Sequence, residues 1–402
     1  MSDSPAVTIL CLASYFKGTT FLRAAKAAGA RVLLLTREKL RHEPWPWDSI
    51  DDVFYMPSLR QRPDITYAVS YLMRGEAIDR TVPLDDYDVE TAAHLREHLR
   101  LSGLNESTSR FFRDKLAMRQ QARASGLQVP AFTSVFNYDE LRRFMAETPS
   151  PWLLKPRSEA GAMGIKKVHH PDEVWHWLHQ LGDEQSFFLL EQFVTGEVYH
   201  VDSIVWQGEV TLAVPHQYGR PPMSVAHEGG VFVTRRLSPD TEDAQALLAL
   251  NKQLLAAFGL VNGVSHTEFL KGAADGRFYF VETAARVGGA NIEQLVEASS
   301  GVNLWAEWAR MEVALARGHA YHTPADAGRY AGLLVCLARQ EWPDLSGYQD
   351  AEVVYRFNKS YHAGLVVAAD DGTRIQALLQ QYTQRFAHDF LAVAPPLDKA
   401  PE

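Results

Sequence analysis

Two apolar runs near the N-terminus, "VTILCLA" at 7–13 and "RVLLLT" at 31–36, flank an amphipathic stretch, "TTFLRAAKAAGA", that stops at Gly29 and Ala30. A short run that is apolar on every side suits a strand covered on both faces. Strand, helix and strand within about 30 residues make the βαβ unit of a parallel sheet. This succession commits the first part of the chain to an α/β layer. "DRTVPLDD" reads as a further strand with acidic residues at its C-terminal end, where ligands of open α/β sheets lie. The first loop, "SYFKGTT", holds one glycine, so the G-x-G-x-x-G fingerprint of Rossmann dinucleotide binding is missing.

A second unit begins near Glu106. "NESTSRFFRDKLAMRQQARASG" has hydroxyl caps, a helical body and a stop at Gly126. "PWLLKP" is a short strand, "RSEAGAMG" a loop of small residues, and "SFFLLEQFV" and "VYHVDSIVW" are apolar strands broken at Thr195-Gly196. "DTEDAQALLALNKQLLAAFG" carries the spacing of a packed helix. "VSHTEFL" and "GRFYFVETA" read as paired strands joined through an Asp-Gly turn. Beyond about residue 325, "AGLLVCLA", "AEVVYRFN" and "AGLVVAADDGTRIQALLQQY" suggest a small α+β cap.

The totals narrow the function classes. A chain of 402 residues, 46% hydrophobic and 22% charged, supports two or three domains with real cores. A net charge of -9 argues against general nucleic-acid binding, which needs a basic surface, but leaves room for a small anion held by local cations. Cys11 and Cys336, far apart in apolar runs, make neither a disulfide framework nor a zinc pattern; they read as core residues in a reducing cytoplasm. The N-terminus lacks a basic n-region, and no apolar run approaches the roughly 18–20 residues of a membrane span. The tail "APPLDKAPE" reads as disordered.

Four groups of residues carry candidate chemistry. Glu268 and Glu282 fall on neighbouring strands joined by a turn, so antiparallel pairing can set them about 5 Å apart. Carboxylates that close repel unless a cation lies between them, and Mg²⁺ takes oxygen ligands. The same pair also reads as two solvated glutamates on a hairpin. Lys155 ends a strand beside "SEAGAMG", where Gly161 and Gly164 let backbone N–H groups approach a phosphate; alone it is equally a solvated lysine before a turn. Lys115 alone reads as an exposed helix charge. "FFLLEQFVTGEVYHVD" offers a strand, a kink at Gly196, and polar Glu191, Glu197 and His200 in an apolar setting fit for adenine and ribose. Arg286, four residues after Glu282, sits among Ala284, Ala285, Gly288 and Gly289, where a guanidinium can fork onto a carboxylate or phosphoryl oxygen.

Taken in order, Lys115, Lys155 with its small-residue loop, the Glu191–Glu197 hinge, Glu268, and Glu282 with Arg286 resemble the ATP-grasp superfamily. The resemblance covers nearly the whole chain. It implies a Rossmann-like pre-ATP-grasp domain (1–105), a two-lobed α+β ATP-grasp domain (106–325, hinge near 191–197) and a C-terminal α+β extension (326–402). ATP would lie between the lobes with Lys115, Lys155, Gly161 and Gly164 at its phosphates. Gln192 and Phe193 would offer backbone groups to adenine, with Glu191 and either Glu197 or His200 on the polar side. Glu268 and Glu282 would hold Mg²⁺, as two ions, with Mn²⁺ as a substitute. The catalytic residues would be Arg286, Lys155 and Glu282.

Many members of the superfamily read Glu-x-Asn-x-Arg where this chain has Ala284, a departure that resembles the bacterial L-amino-acid, dipeptide-forming ligases. Many also place a ribose-binding glutamate where this chain has Val198. The implied activity is ATP-dependent joining of a small carboxylate, such as an amino acid, to an amine through an acyl-phosphate. The implied partners are those small molecules and a second copy of the chain, without nucleic acid or membrane. A carboxylase or phosphoryl transferase on the same scaffold, or a nucleotide-binding module without turnover, are the competing readings. "HQYGRPPMSVAHEGGVFVTRR", with Arg220, His227, Arg235 and Arg236, is loop-like, and either lines the acceptor pocket or is a surface loop.

Overall fold

The computed structural model describes residues 7–395. The βαβ reading holds: β1 (Thr8–Ala13), α1 (Thr19–Ala27) and β2 (Arg31–Arg37) are followed by β3 (Asp52–Met56), α2 (Arg62–Leu72), β4 (Arg80–Pro83) and α3 (Val89–Leu99). These four strands pair in parallel in the order β3-β2-β1-β4. The acidic turn Asp85–Asp88 leaves the C-terminal end of β4.

The single helix expected after Glu106 is broken. A short α4 (Glu106–Ser109) gives way at Arg113 to a new helix, α5 (Lys115–Ala124). Asp114 makes the break by capping α5, accepting from the N–H groups of Leu116 at 2.9 Å and Ala117 at 3.4 Å. Then come β5 (Phe132–Ser134), α6 (Tyr138–Glu147), β6 (Trp152–Pro156), β7 (Lys166–Val168), α7 (Pro171–Leu181) and β8 (Phe188–Gln192). Strands 5–8 form a small antiparallel sheet in the order β5-β8-β6-β7.

The remaining strands build one sheet of eight: β9 (Gly196–Trp206), β10 (Glu209–Tyr218), β11 (Phe232–Arg236), β12 (Gly263–Gly272), β13 (Phe278–Ala284), β14 (Tyr330–Leu337), β15 (Val353–Arg356) and β16 (His362–Ala369), ordered β13-β12-β9-β10-β11-β14-β16-β15. Between them lie α8 (Pro222–Glu228), α9 (Glu242–Phe258), α10 (Ile292–Ser300) and α11 (Leu304–Arg317), and α12 (Gly372–Asp389) closes the chain. Two expectations change here. The stretch 216–236 is not a loop: it holds the end of β10, the short α8 and all of β11, whose alternating Phe232, Thr234 and Arg236 mark a strand in hindsight. The strands after 325 do not stand apart as a cap, because β14 pairs with β11 and carries the large sheet onward. The tail from 396 lies outside the described residues.

One apolar cluster joins the N-terminal sheet to the large one. It runs from Ile9, Cys11 and Phe21 through Trp308 on α11 to Ile204 and Val264. Phe21 and Trp308 meet edge to face at 5.5 Å, and Arg80 on β4 pairs with Glu312 on α11 at 2.6 Å with both side chains buried. This core fixes the acidic turn after β4 against the large sheet. Among the described residues, no helix is long and apolar enough to cross a membrane.

Gly196, at the start of β9, lies so close to β12 that a Cβ would stand 2.0 Å from the Lys271 carbonyl oxygen. Gly196→Ala should push the two strands apart and lower stability by roughly 1–3 kcal/mol, read as a lower urea midpoint. An unchanged midpoint would contradict this packing.

Candidate active site

In the antiparallel ladder of β12 and β13, Glu268 stands directly opposite Glu282, with a bulge just after it. Opposite residues share a face, so both carboxylates project to the same side. Glu268 is also opposite His200 on β9, and His200 is opposite His216 on β10. The ladder therefore lays a row of titratable side chains across one face. Tyr218 Oη donates to Glu268 Oε1 at 2.7 Å. Burial first, then the Glu268 charge, pushes that phenol well above its ordinary range. Glu282 Oε2 lies 3.0 Å from Lys115 Nζ. Burial works to raise the Glu282 carboxyl, but the Lys115 ammonium outweighs it and holds it below the usual range.

Lys115 is buried rather than an exposed helix charge. The break at Asp114 makes it the first residue of α5, and its ammonium also donates to the Glu159 carbonyl at 2.5 Å. Lys155, on β6, pairs with Glu191 on β8, Nζ to Oε1 at 2.5 Å. The other Glu191 oxygen takes Arg119 Nε at 2.5 Å. Burial lowers the Lys155 ammonium against the pull of Glu191. Burial also works to raise Glu191, but Arg119 and then Lys155 hold it below the usual range. Both oxygens of Glu191 are thus engaged by cations. Gln192 and Phe193 use their N–H groups on the carbonyls of Ala131 and Pro151, at 2.8 and 2.9 Å. Glu197, by contrast, is exposed and accepts from Tyr199 Oη at 2.8 Å. Gly161 and Gly164 both take φ 67°, the left-handed region that bends the loop between β6 and β7.

His200 is fully buried, with Nδ1 2.7 Å from Asp202 Oδ2 and Nε2 2.7 Å from Thr234 Oγ1. His266 Nδ1 lies 2.9 Å from the other Asp202 oxygen, and its Nε2 is 3.6 Å from Glu268 Oε1. Burial alone would lower the His266 imidazole; the Asp202 carboxylate overrides it and pushes it up to about 9. Burial drives His200 down to about 3. His200, Asp202 and His266 bring ligand-type atoms within 4.8 Å of one another. Each Asp202 oxygen already faces an imidazole nitrogen, so the Asp202 carboxylate is satisfied within the sheet. Gly288 covers it: a Cβ there would lie 3.0 Å from both Asp202 Oδ1 and His266 Nδ1.

Arg286, just beyond β13, donates from Nη1 to the Val287 carbonyl at 2.9 Å, and its Nε stands 3.3 Å from Asp86 Oδ1. The structure thus brings Lys115 to Glu282, sets Glu282 opposite Glu268, and ties Arg286 to Asp86. Lys155 and Glu191 pair on the small sheet, and His200 is bonded within the large sheet. Arg119, Asp202, Tyr218 and His266 were missed. His266 was legible, since a strand residue two before Glu268 must share its face.

No family model matches the chain. It is 23% identical over 265 residues to an L-arginine-specific L-amino acid ligase of Bacillus subtilis, covering 64% of this chain and 61% of that protein. The chain therefore spans about three-fifths of that curated relative. An L-amino acid ligase from Bacillus licheniformis superposes with a TM-score of 0.75 at 17% identity, over 97% of this chain and 99% of that one. N5-carboxyaminoimidazole synthetase from Staphylococcus aureus, solved with ADP, superposes with a TM-score of 0.72 at 12% identity, over 94% and 97%. These likenesses show that the chain shares its fold with an L-amino acid ligase and an N5-carboxyaminoimidazole synthetase.

Glu191→Gln would leave Lys155 and Arg119 as buried cations without a counter-charge. The loss should be about 3–5 kcal/mol, read as a fall in the urea midpoint. A midpoint within experimental scatter of the parent would show that the carboxylate is not holding the two cations.

Proposed function

We propose that the protein is an ATP- and Mg²⁺-dependent carboxylate–amine ligase. The observation that carries this is the registered pair Glu268–Glu282, on one face, opposite the buried cations Lys115 and Lys155. Two facing carboxylates make a hard oxygen donor set that suits Mg²⁺, and the lysines suit the phosphates that bring it. When bound by Glu268 and Glu282, Mg²⁺ supplies charge neutralisation at the phosphoryl oxygens. Ala284 offers no side-chain donor, so a second ion would draw only on carboxylates, phosphate and water.

In the proposed reaction a substrate carboxylate oxygen attacks the γ-phosphorus and ADP leaves, giving an acyl-phosphate. An amine then attacks the acyl carbon and expels phosphate. Arg286 orients the carboxylate in its fork, and Lys115 and Lys155 hold the phosphates in line. The loop with Gly161 and Gly164 lies over them, and Glu197 is the open carboxylate for a ribose. The name of the Bacillus subtilis relative supports an amino acid as the activated carboxylate. In the same reading, 1–105 and 106–325 are the working parts of a cytoplasmic enzyme that pairs with a second copy, and 326–402 extends the large sheet of 106–325. Mn²⁺ should replace Mg²⁺ on this donor set.

The decisive experiment is a phosphate-release screen with ATP, Mg²⁺ and pairs of amino acids or other small carboxylates and amines. Silence with every pair would end the ligase reading; bicarbonate-dependent release would favour a carboxylase. Glu282→Gln should cut phosphate release by roughly a hundredfold or more while circular dichroism shows an intact fold. An active, folded variant would remove Glu282 from the metal site. Lys155→Ala should raise the KM for ATP about tenfold or more, the loss of one charge-assisted contact. Unchanged ATP kinetics would take Lys155 out of the phosphate site.

A further inference from the structure

The acidic turn after β4 is tied to three parts of the candidate site at once. Asp86 is buried, and its Oδ2 accepts from Arg113 Nη1 while Oδ1 faces Arg286 Nε at 3.3 Å. Arg113 reaches on from this carboxylate and donates from Nη2 to the Ser158 carbonyl. The next residue, Tyr87, donates from Oη to Glu159 Oε2 at 2.8 Å. Its ring carries two guanidinium groups, Arg60 at 4.3 Å and Arg113 at 5.0 Å from the centroid. Glu159 in turn accepts, at its backbone oxygen, the 2.5 Å bond from Lys115 Nζ. Ser158 and Glu159 open the small-residue loop proposed to lie over the phosphates.

The turn is well supported. Asp85 accepts from the Tyr87 N–H at 3.0 Å and pairs with Lys17 Nζ at 2.6 Å. Asp88 accepts from the Ser14 N–H at 2.7 Å and from Ser14 Oγ at 2.5 Å, which locks the turn to the loop after β1. The apolar cluster around Phe21 and Trp308 fixes that whole layer to the large sheet. A rigid element therefore reaches two loops that carry opposite ends of the proposed reaction, the phosphate loop and the Arg286 loop.

We propose that Asp86 and Tyr87 are positioning residues of the ligase site: Tyr87, through Glu159, sets the phosphate loop, and Asp86 sets Arg286. This rests on the ligase reading for its kinetic consequences but not for its mechanical ones. With Nε paired to the buried Asp86 carboxylate and Nη1 on the Val287 carbonyl, the Arg286 guanidinium is fixed in orientation and presents Nη2 to an oxyanion. A loop rich in glycine gains order from a fixed anchor at its base. The two anchors share one turn, so the distance between the carboxylate end and the phosphate end of the site is set by a few residues of the N-terminal layer.

The test compares the full-length parent with Tyr87→Phe and Asp86→Asn in two ways. Hydrogen exchange, which needs no turnover, should show amides in 158–164 exchanging about tenfold faster in Tyr87→Phe, as loss of an anchoring hydrogen bond permits. It should show 284–290 exchanging faster in Asp86→Asn. In phosphate release, Tyr87→Phe should raise the KM for ATP several-fold and leave the carboxylate KM unchanged; Asp86→Asn should raise the carboxylate KM about tenfold. A merely structural role would lower stability without splitting the two KM values. Unchanged exchange in both segments would overturn the proposal even in a protein with no turnover. Altered exchange beside a parent inactive with every substrate pair would sustain the anchors and sink the ligase reading. Should Asp86→Asn fail to fold, Tyr87→Phe, which deletes one hydroxyl, carries the decision through the 158–164 exchange.

Discussion

Two like charges opposite each other on adjacent strands set the terms for everything around them. Glu268 and Glu282 are held in that relation by the β12–β13 ladder, not by any attraction between them. Such a pair repels unless positive charge answers it, and its surroundings supply hydrogen bonds and cations in layers. Tyr218 donates to Glu268, Lys115 faces Glu282, and His266 stands behind both on the same face. The small sheet repeats the logic in reverse, with the single carboxylate of Glu191 between the two cations of Lys155 and Arg119. The large sheet therefore presents the carboxylates, and Lys115 and Lys155 bring positive charge beside them. A nucleotide with its metal needs both.

Much of this could be read from the chain. The βαβ start and the hairpin that faces Glu268 with Glu282 follow from periodicity and turn chemistry over short distances, whereas the lysines, the hinge and the arginine gained a joint meaning only through their resemblance to a known family. What escaped depends on long-range partners. Lys115 looked solvated because nothing local shows that Asp114 breaks the helix and that Glu159 and Glu282 close over the ammonium. Glu191 looked like a nucleotide contact because its partner Arg119 lies 72 positions earlier. His200 read as a half-buried histidine or a ribose contact, and Thr234 and Asp202 take both of its ring nitrogens inside the sheet. The strand at 232–236 was hidden by the glycines and prolines that precede it.

The N-terminal layer is the least specific part of the sequence and turns out to be closely joined to the candidate site. Its sheet has ordinary parallel topology, but the turn after β4 delivers Asp86 and Tyr87 to residues more than 70 positions away.

The large sheet does not end with the strands that carry Glu268 and Glu282. β14 hydrogen-bonds to β11, and Val231 packs in one apolar cluster with Leu334, Leu365 and Phe386. Cutting the chain near residue 325 would strip β11 of its neighbour and bare a row of unpaired amides beside apolar side chains, a template for sticking to other chains. Modular exchange of the C-terminal part between relatives, a common route to new specificity, would here have to carry β11 along with it.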